Sequence, residues 1–173
     1  MATPVPHQDE LATHHSSRAV PVTKFCGATE IKRDPADVFT FLAALENHWP
    51  LLGNWLVKST DTGPQLGIGQ GAELVVRVPY LPMRRRIVTR VDQTFAPIGL
   101  RGTAKSGSAT AEIRWELSET ESIVGVGTAV WFEAAVHAHS KFDVIVVRLL
   151  RHWLQNRCED VLNELKWRLE SAT

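Results

Sequence analysis

Residues 141–170 decide the fold: KFDVIVVRLLRHWLQNRCEDVLNELKWRLE. The apolar side chains recur three or four positions apart and cover about half of the helix circumference at ~100° per residue. They are Val146, Leu150, Trp153, Leu154, Cys158, Val161, Leu162, Leu165 and Leu169. Ser140 and Asp143 have the spacing of a helix-capping box. The stretch therefore predicts one long amphipathic helix whose broad apolar face suits the hollow of a curved sheet better than a coiled coil.

The chain between Asn54 and Val136 has no helical period and instead predicts an antiparallel meander. The six predicted strands occupy residues 55–61, 71–78, 84–95, 98–104, 109–118 and 123–136. In the fifth, ATAEIRWELS, apolar and charged residues alternate, so that Ile113 and Trp115 share one face while Glu112 and Arg114 share the other. One face of the sheet should therefore be buried against the long helix.

A first strand is predicted over residues 22–32, and Asp34-Pro35 ends it. A helix should begin there, with Asp34 as the N-cap and Pro35 at the first helical position. A second short helical segment follows at residues 46–52. Residues 1–20 have no sustained period and predict a flexible arm. Residues 21–173 form one predicted domain, as expected for a chain of this length.

Composition excludes several function classes. The 19 basic and 19 acidic residues give a net charge of zero, so the field that attracts nucleic acid is absent. No apolar run is long enough for stable membrane insertion, and the first twenty residues lack an apolar secretory segment, so a cytoplasmic protein is expected. Six Trp and six Phe stand against one Tyr, which suits either a thick core or an apolar cavity.

Cysteine and glycine motifs give no support for a cofactor or a metal. Cys26 and Cys158 lack paired spacing and are predicted to be buried, reduced thiols. The glycines of residues 67–71 precede a strand instead of a helix, unlike a dinucleotide-binding loop. His137 and His139 supply two ligands without a third. No cofactor and no metal are therefore predicted.

The order of elements resembles the helix-grip fold of the START/Bet v 1-like superfamily, and within it the bacterial polyketide cyclase/dehydrase and lipid-transport group. The segments ATEIKRDPADVFTFLAALENHWPLLGNW, GIGQGAELVVRV, ATAEIRWELSE and VGVGTAVWFEA carry the resemblance together with the final helix. It implies an α+β fold in which a seven-stranded antiparallel sheet wraps the C-terminal helix, with two short helices after strand 1. It also implies a deep apolar cavity for a hydrophobic ligand. Its patterns specify fold better than chemistry.

Two arginines are candidates for a polar role in such a cavity. Arg157 lies within the apolar stripe, where its guanidinium either holds a ligand oxygen or pairs with Asp160 or Glu164. Arg85 shares strand parity with Ile87, and it either faces the cavity or is solvated at the strand end.

The predicted ligand wall consists of large apolar side chains on the faces that sheet and helix turn toward each other, or at the mouth. These are Trp49, Trp55, Trp115, Phe132, Val146, Leu150 and Trp153. The same rings would equally fill a solid core. His137, at the end of the last strand, is either a general base or a loop histidine.

Three functions remain open at this stage. The first is binding of a polycyclic or polyketide-like molecule, with cyclisation and dehydration as the reaction if the protein is an enzyme. There Arg157 stabilises charge and His137 acts as base. The second is a non-enzymatic carrier of a lipid, quinone or sterol-like molecule. The third is a partner-binding domain with a filled core, favoured by a cavity below ~300 Å³. Either a monomer or a homodimer is compatible with the sequence.

Overall fold

A computed structural model describes residues 20–64, 66–80, 82–122 and 125–171. The predicted arm of residues 1–20 lies outside these ranges except for Val20, which is exposed. The strands are β1 (Val22–Ile31), β2 (Leu56–Thr62), β3 (Gly71–Arg77), β4 (Arg84–Phe95), β5 (Gly99–Ser106), β6 (Ala109–Ser122) and β7 (Gly125–His137). The helices are α1 (Pro35–Ala43), two 3₁₀ turns (Leu45–Asn47 and Pro50–Trp55) and α2 (Lys141–Ser171). The predicted helix-grip architecture is confirmed.

The seven strands form one antiparallel sheet in the order β1-β7-β6-β5-β4-β3-β2. Each strand from β2 to β7 pairs with its neighbour in sequence, and β1 pairs with β7. The short helices after β1 therefore carry the chain from one edge of the sheet to the other.

Both predicted helix starts are present. The Asp34 carboxylate accepts a hydrogen bond from the Ala36 amide at 2.8 Å, with Pro35 in the first turn. The Ser140 hydroxyl accepts from the Asp143 amide at 3.0 Å. These side chains satisfy amide groups that have no partner within the helix, which fixes where each helix begins.

The C-terminal half of α2 packs tightly on the sheet. Leu162 and Leu165 are buried in one cluster with residues of α1, β5, β6 and β7. At Gly27 of β1 a Cβ atom would lie 2.6 Å from Leu162 Cδ1, so glycine permits the close approach of helix and strand. The candidate site lies beneath α2 from Asp143 to Val161.

Candidate functional site

A cavity lies between the concave face of the sheet and α2, divided into two adjoining chambers. The larger, here called the aromatic chamber, has a volume of about 260 Å³. The smaller, here called the helix-start chamber, has a volume of about 200 Å³ and lies beneath the first turns of α2. Five residues line both chambers: Trp55, Ile87, Ala104, Val136 and Leu154. The shared lining places the two chambers side by side, and most of the residues that line them are apolar.

Aromatic rings form much of the wall of the aromatic chamber. Trp115 and Phe132 are register partners on β6 and β7, and their ring centroids are 4.5 Å apart. Trp115 is only 4% exposed and also contributes to the core. Trp49 lines the same chamber, and its indole Nε1 donates to Asp61 Oδ1 at 3.1 Å. These three predicted wall residues therefore lie side by side around one space.

His48 is a functional candidate that the sequence analysis missed. It lines the aromatic chamber, in edge contact with Trp115 at 5.8 Å between ring centroids. Its Nε2 lies 2.7 Å from the Leu42 carbonyl oxygen, which can only accept, so Nε2 donates and Nδ1 is the accepting nitrogen of the neutral ring. Burial lowers the pKa of His48, although the bond to Leu42 opposes this. The one available sequence signal was its position beside Trp49 in the segment predicted to border the mouth.

Arg157 lines the aromatic chamber from α2 and also forms the ion pair that the sequence allowed. Its Nη2 lies 2.7 Å from Asp160 Oδ2, and the side chain is 36% exposed. The guanidinium carbon lies 5.8 Å from the centroid of the Trp153 ring. Its Nε is buried and has no hydrogen-bond partner among the described residues. A buried donor left in this way is available to an oxygen atom of a ligand.

The helix-start chamber brings together the remaining predicted wall residues. Val146, Leu150 and Trp153 line it from α2. Trp153 meets Trp55 edge to face, with 5.5 Å between ring centroids, and Trp55 lines both chambers. This tryptophan pair therefore stands close to the junction of the two chambers.

A buried ion pair closes the polar end of the helix-start chamber. Arg85 Nη1 lies 3.2 Å from Asp143 Oδ1, and the two side chains are 19% and 5% exposed. The hydroxyls of Ser108 and Ser140 donate to Asp143 Oδ2. These two hydrogen bonds and then Arg85 lower the pKa of Asp143, against the opposing effect of burial. Arg85 therefore faces the cavity and is not solvated at the strand end.

Several other predicted features lie away from the cavity. His137 does not line either chamber; its Nε2 is 3.6 Å from the exposed carboxylate of Glu112. Val136 lines the cavity, and adjacent strand residues point to opposite faces, so His137 is on the outer face.

Cys26 is exposed, so its predicted burial was wrong, while Cys158 is buried in the wall of the aromatic chamber.

No family model matches the chain, and no curated protein does. Solved structures do resemble it. One is a protein from Thermus thermophilus, TTHA0849, at 17% identity and a TM-score of 0.69, covering 87% of this chain and 99% of that one. Another is norcoclaurine synthase from Thalictrum flavum, at 12% identity and a TM-score of 0.67, covering 100% and 98%. A structure of that enzyme in complex with dopamine and hydroxybenzaldehyde matches at 13% identity and a TM-score of 0.62, covering 95% and 96%.

These similarities define the fold. The chain has the helix-grip fold of the Bet v 1-like proteins, as its resemblance to the START/Bet v 1-like superfamily predicted. None of the helices in the described ranges is both long and apolar enough to cross a membrane. Within those ranges, no three His, Cys, Asp or Glu side chains group as a metal ligand set.

Proposed function

We propose that this protein binds a hydrophobic small molecule in the cavity between the sheet and α2. The supporting observation is the pair of adjoining, mainly apolar chambers of about 260 and 200 Å³. Each alone is smaller than the ~300 Å³ expected for a drug-sized ligand, so the proposal requires one ligand to extend through both chambers, past the residues that line both. The empty apolar space of the two chambers favours ligand binding over the filled-core alternative, because such a space forfeits packing that a ligand restores.

Ring-shaped ligands suit the aromatic chamber best. Trp49, Trp115 and Phe132 present broad apolar faces, and aromatic pairs favour offset or edge-to-face contacts with a planar partner. The ligand proposed is therefore a polycyclic or polyketide-like molecule, bound by a carrier that leaves it unchanged. A lipid, quinone or sterol-like molecule belongs to the same class, and its recovery would be consistent with the proposal.

A second candidate function is cyclisation with dehydration, favoured by two groups that line the same chamber. Neutral His48 has an accepting nitrogen that can remove a proton from carbon, and Arg157 has a donor for the resulting enolate oxygen. The enolate carbon would attack a second carbonyl of the same molecule, which closes the ring, and the resulting alkoxide would take the proton back from His48. Loss of that hydroxyl with a neighbouring hydrogen, as water, would complete the dehydration. Norcoclaurine synthase, complexed with dopamine and hydroxybenzaldehyde, is a protein of similar fold that holds two small aromatic molecules. His48 replaces His137 as the base in this proposal.

A matched pair of variants tests ligand binding. Ala104 lines both chambers, whereas its neighbour Thr103 is exposed on the other face of β5. Ala104→Phe should fill the junction and weaken binding of a fluorescent hydrophobic dye at least about tenfold, while Thr103→Phe should leave it unchanged. Equal dye affinity in the two variants would remove the cavity as the binding site.

Native mass spectrometry of the purified protein separates the two candidate functions. A carrier should retain an unchanged lipid-like molecule, recoverable by extraction. An enzyme should convert an added poly-ketone substrate, and His48→Gln should abolish conversion without abolishing binding. Conversion that persists in His48→Gln would exclude this histidine as the base.

A further inference from the structure

The helix-start chamber is mainly apolar, but the ion pair of Arg85 and Asp143 contributes charged groups to its lining. Among the arginines and lysines that border this chamber, Arg85 has inward strand parity, as the register partner of buried Val76. Arg77 and Lys105 are exposed and lie at positions of outward parity. A single cationic side chain therefore reaches the chamber from the described part of the sheet.

Arg85 has hydrogen-bonding capacity beyond its ion pair. Asp143 accepts through Oδ1 from Nη1, and a guanidinium has five N–H donors in a planar fork. The Asp143 carboxylate also accepts from two serine hydroxyls, and it lies in the first turn of α2, where the helix dipole stabilises negative charge. Asp143 thus holds Arg85 in place and leaves it donors for another group.

A second, independent observation points to the same end of the chamber. Ser106 lines the helix-start chamber, and its Oγ is buried with no hydrogen-bond partner among the described residues. A buried hydroxyl is costly unless it makes a hydrogen bond, which a ligand atom could supply. Ser106 lies two residues along β5 from Ala104, so both have the same parity and face the cavity with Arg85.

We propose that Arg85 and Ser106 bind the carboxylate of an amphipathic ligand, whose ring or hydrocarbon body extends past Trp55 into the aromatic chamber. This inference rests on the proposed ligand-binding function and adds the chemical class of the ligand: a hydrophobic monocarboxylic acid. A planar carboxylate matches the guanidinium fork and accepts the serine hydroxyl. A phosphate dianion fits less well, because a single cationic side chain reaches the chamber from the described part of the sheet and Asp143 stands beside it. An ammonium group fits worst, because it is itself a positively charged donor and would face the donors of Arg85.

Matched fluorescent ligands test the proposal on the full chain: 1-pyrenebutyric acid, 1-pyrenebutanol and 1-pyrenebutylamine. The acid should bind at least about tenfold more tightly than the alcohol, and the amine most weakly. Arg85→Gln should bring the acid-to-alcohol ratio close to one with the alcohol affinity unchanged. Ser106→Ala, which leaves the ion pair intact, should lower the ratio without abolishing it. Arg84→Gln, at an exposed neighbouring position, is the control and should preserve it.

The outcomes separate this inference from the function on which it rests. If acid and alcohol bind the unaltered protein equally, or if the ratio survives in both Arg85→Gln and Ser106→Ala, the carboxylate site is wrong while ligand binding stands. If none of the three pyrene compounds binds, and no hydrophobic dye binds in an Ala104-dependent way, the proposed function itself fails.

Discussion

Replacing Arg157 with methionine should make the protein slightly more stable and a poorer binder of oxygen-bearing ligands. The change removes the buried Nε, which has no partner among the described residues, but keeps an unbranched side chain that packs against Trp153. An unsatisfied buried donor costs about 1–3 kcal/mol. The ion pair with Asp160 is partly exposed and contributes only about 0–1 kcal/mol.

The expected net effect of Arg157→Met is a gain of about 1 kcal/mol in the free energy of unfolding. For a chain of this size it corresponds to a rise in Tm of about 2–4 °C. Urea denaturation followed by tryptophan fluorescence measures it, with the m value required to stay constant so that only stability has changed. Arg168→Met is a close control, because Arg168 is also 36% exposed and pairs at 2.7 Å on the same helix, with Glu164. Its Nε is satisfied by that bond, so this variant should lose about 0–1 kcal/mol.

Ligand binding supplies the second half of this test. Arg157→Met should weaken 2-naphthol about tenfold relative to naphthalene, while Arg168→Met should affect neither compound. Two results would refute the reasoning: a loss of more than about 1 kcal/mol in Arg157→Met, which makes the arginine structural, or an unchanged naphthol-to-naphthalene ratio.

Three further predictions follow from the buried groups near the cavity. Burial lowers the pKa of His48 below its ordinary value of 6.5. The free energy of unfolding should therefore be highest above pH 6.5 and fall as the pH drops through the lowered pKa, because the unfolded chain then binds a proton that the folded chain does not. His48→Gln should flatten this dependence of the unfolding free energy on pH, as measured by urea titrations. An unchanged slope against pH would contradict the prediction. Burial raises the pKa of Cys158 to about 11, so maleimide should label only exposed Cys26 until urea unfolds the chain, and double labelling of the folded protein would contradict this. Gly27→Ala should cost about 1–3 kcal/mol in urea denaturation, because the new Cβ meets buried Leu162, and an unchanged midpoint would argue against the close contact.

Periodic segments were predictable because each repeats its local preference many times. The long helix was predicted from Lys141 to Glu170 and runs from Lys141 to Ser171. The alternation that placed Trp115 inward matches its 4% exposure. Strict use of the same alternation would also have excluded His137, since it is five residues beyond Phe132 and therefore has the opposite parity.

Single polar residues were not predictable in the same way. His48 lies in an aperiodic turn, so its orientation depends on how that turn docks against Trp115. Asp143 was recognised as part of a helix start, but its pairing with Arg85 joins residues far apart in the sequence. Neither a propensity nor a period carries information about such a contact, because it forms only when the sheet has curved around the helix.

Close packing and cavity lining involve different side chains of α2. Near the C-terminal half, Gly27 lets Leu162 approach the sheet closely. Near the N-terminal half, Trp153 meets Trp55 of the second 3₁₀ turn edge to face, and both rings line the helix-start chamber. The closely packed part around Leu162 and Leu165 supplies much of the buried core. Side chains that line the cavity can therefore be changed with a smaller cost in folding free energy. It follows that ligand specificity and stability can be altered separately in this chain. Arg85 and Arg157, which line the two chambers, are the positions where specificity should change first.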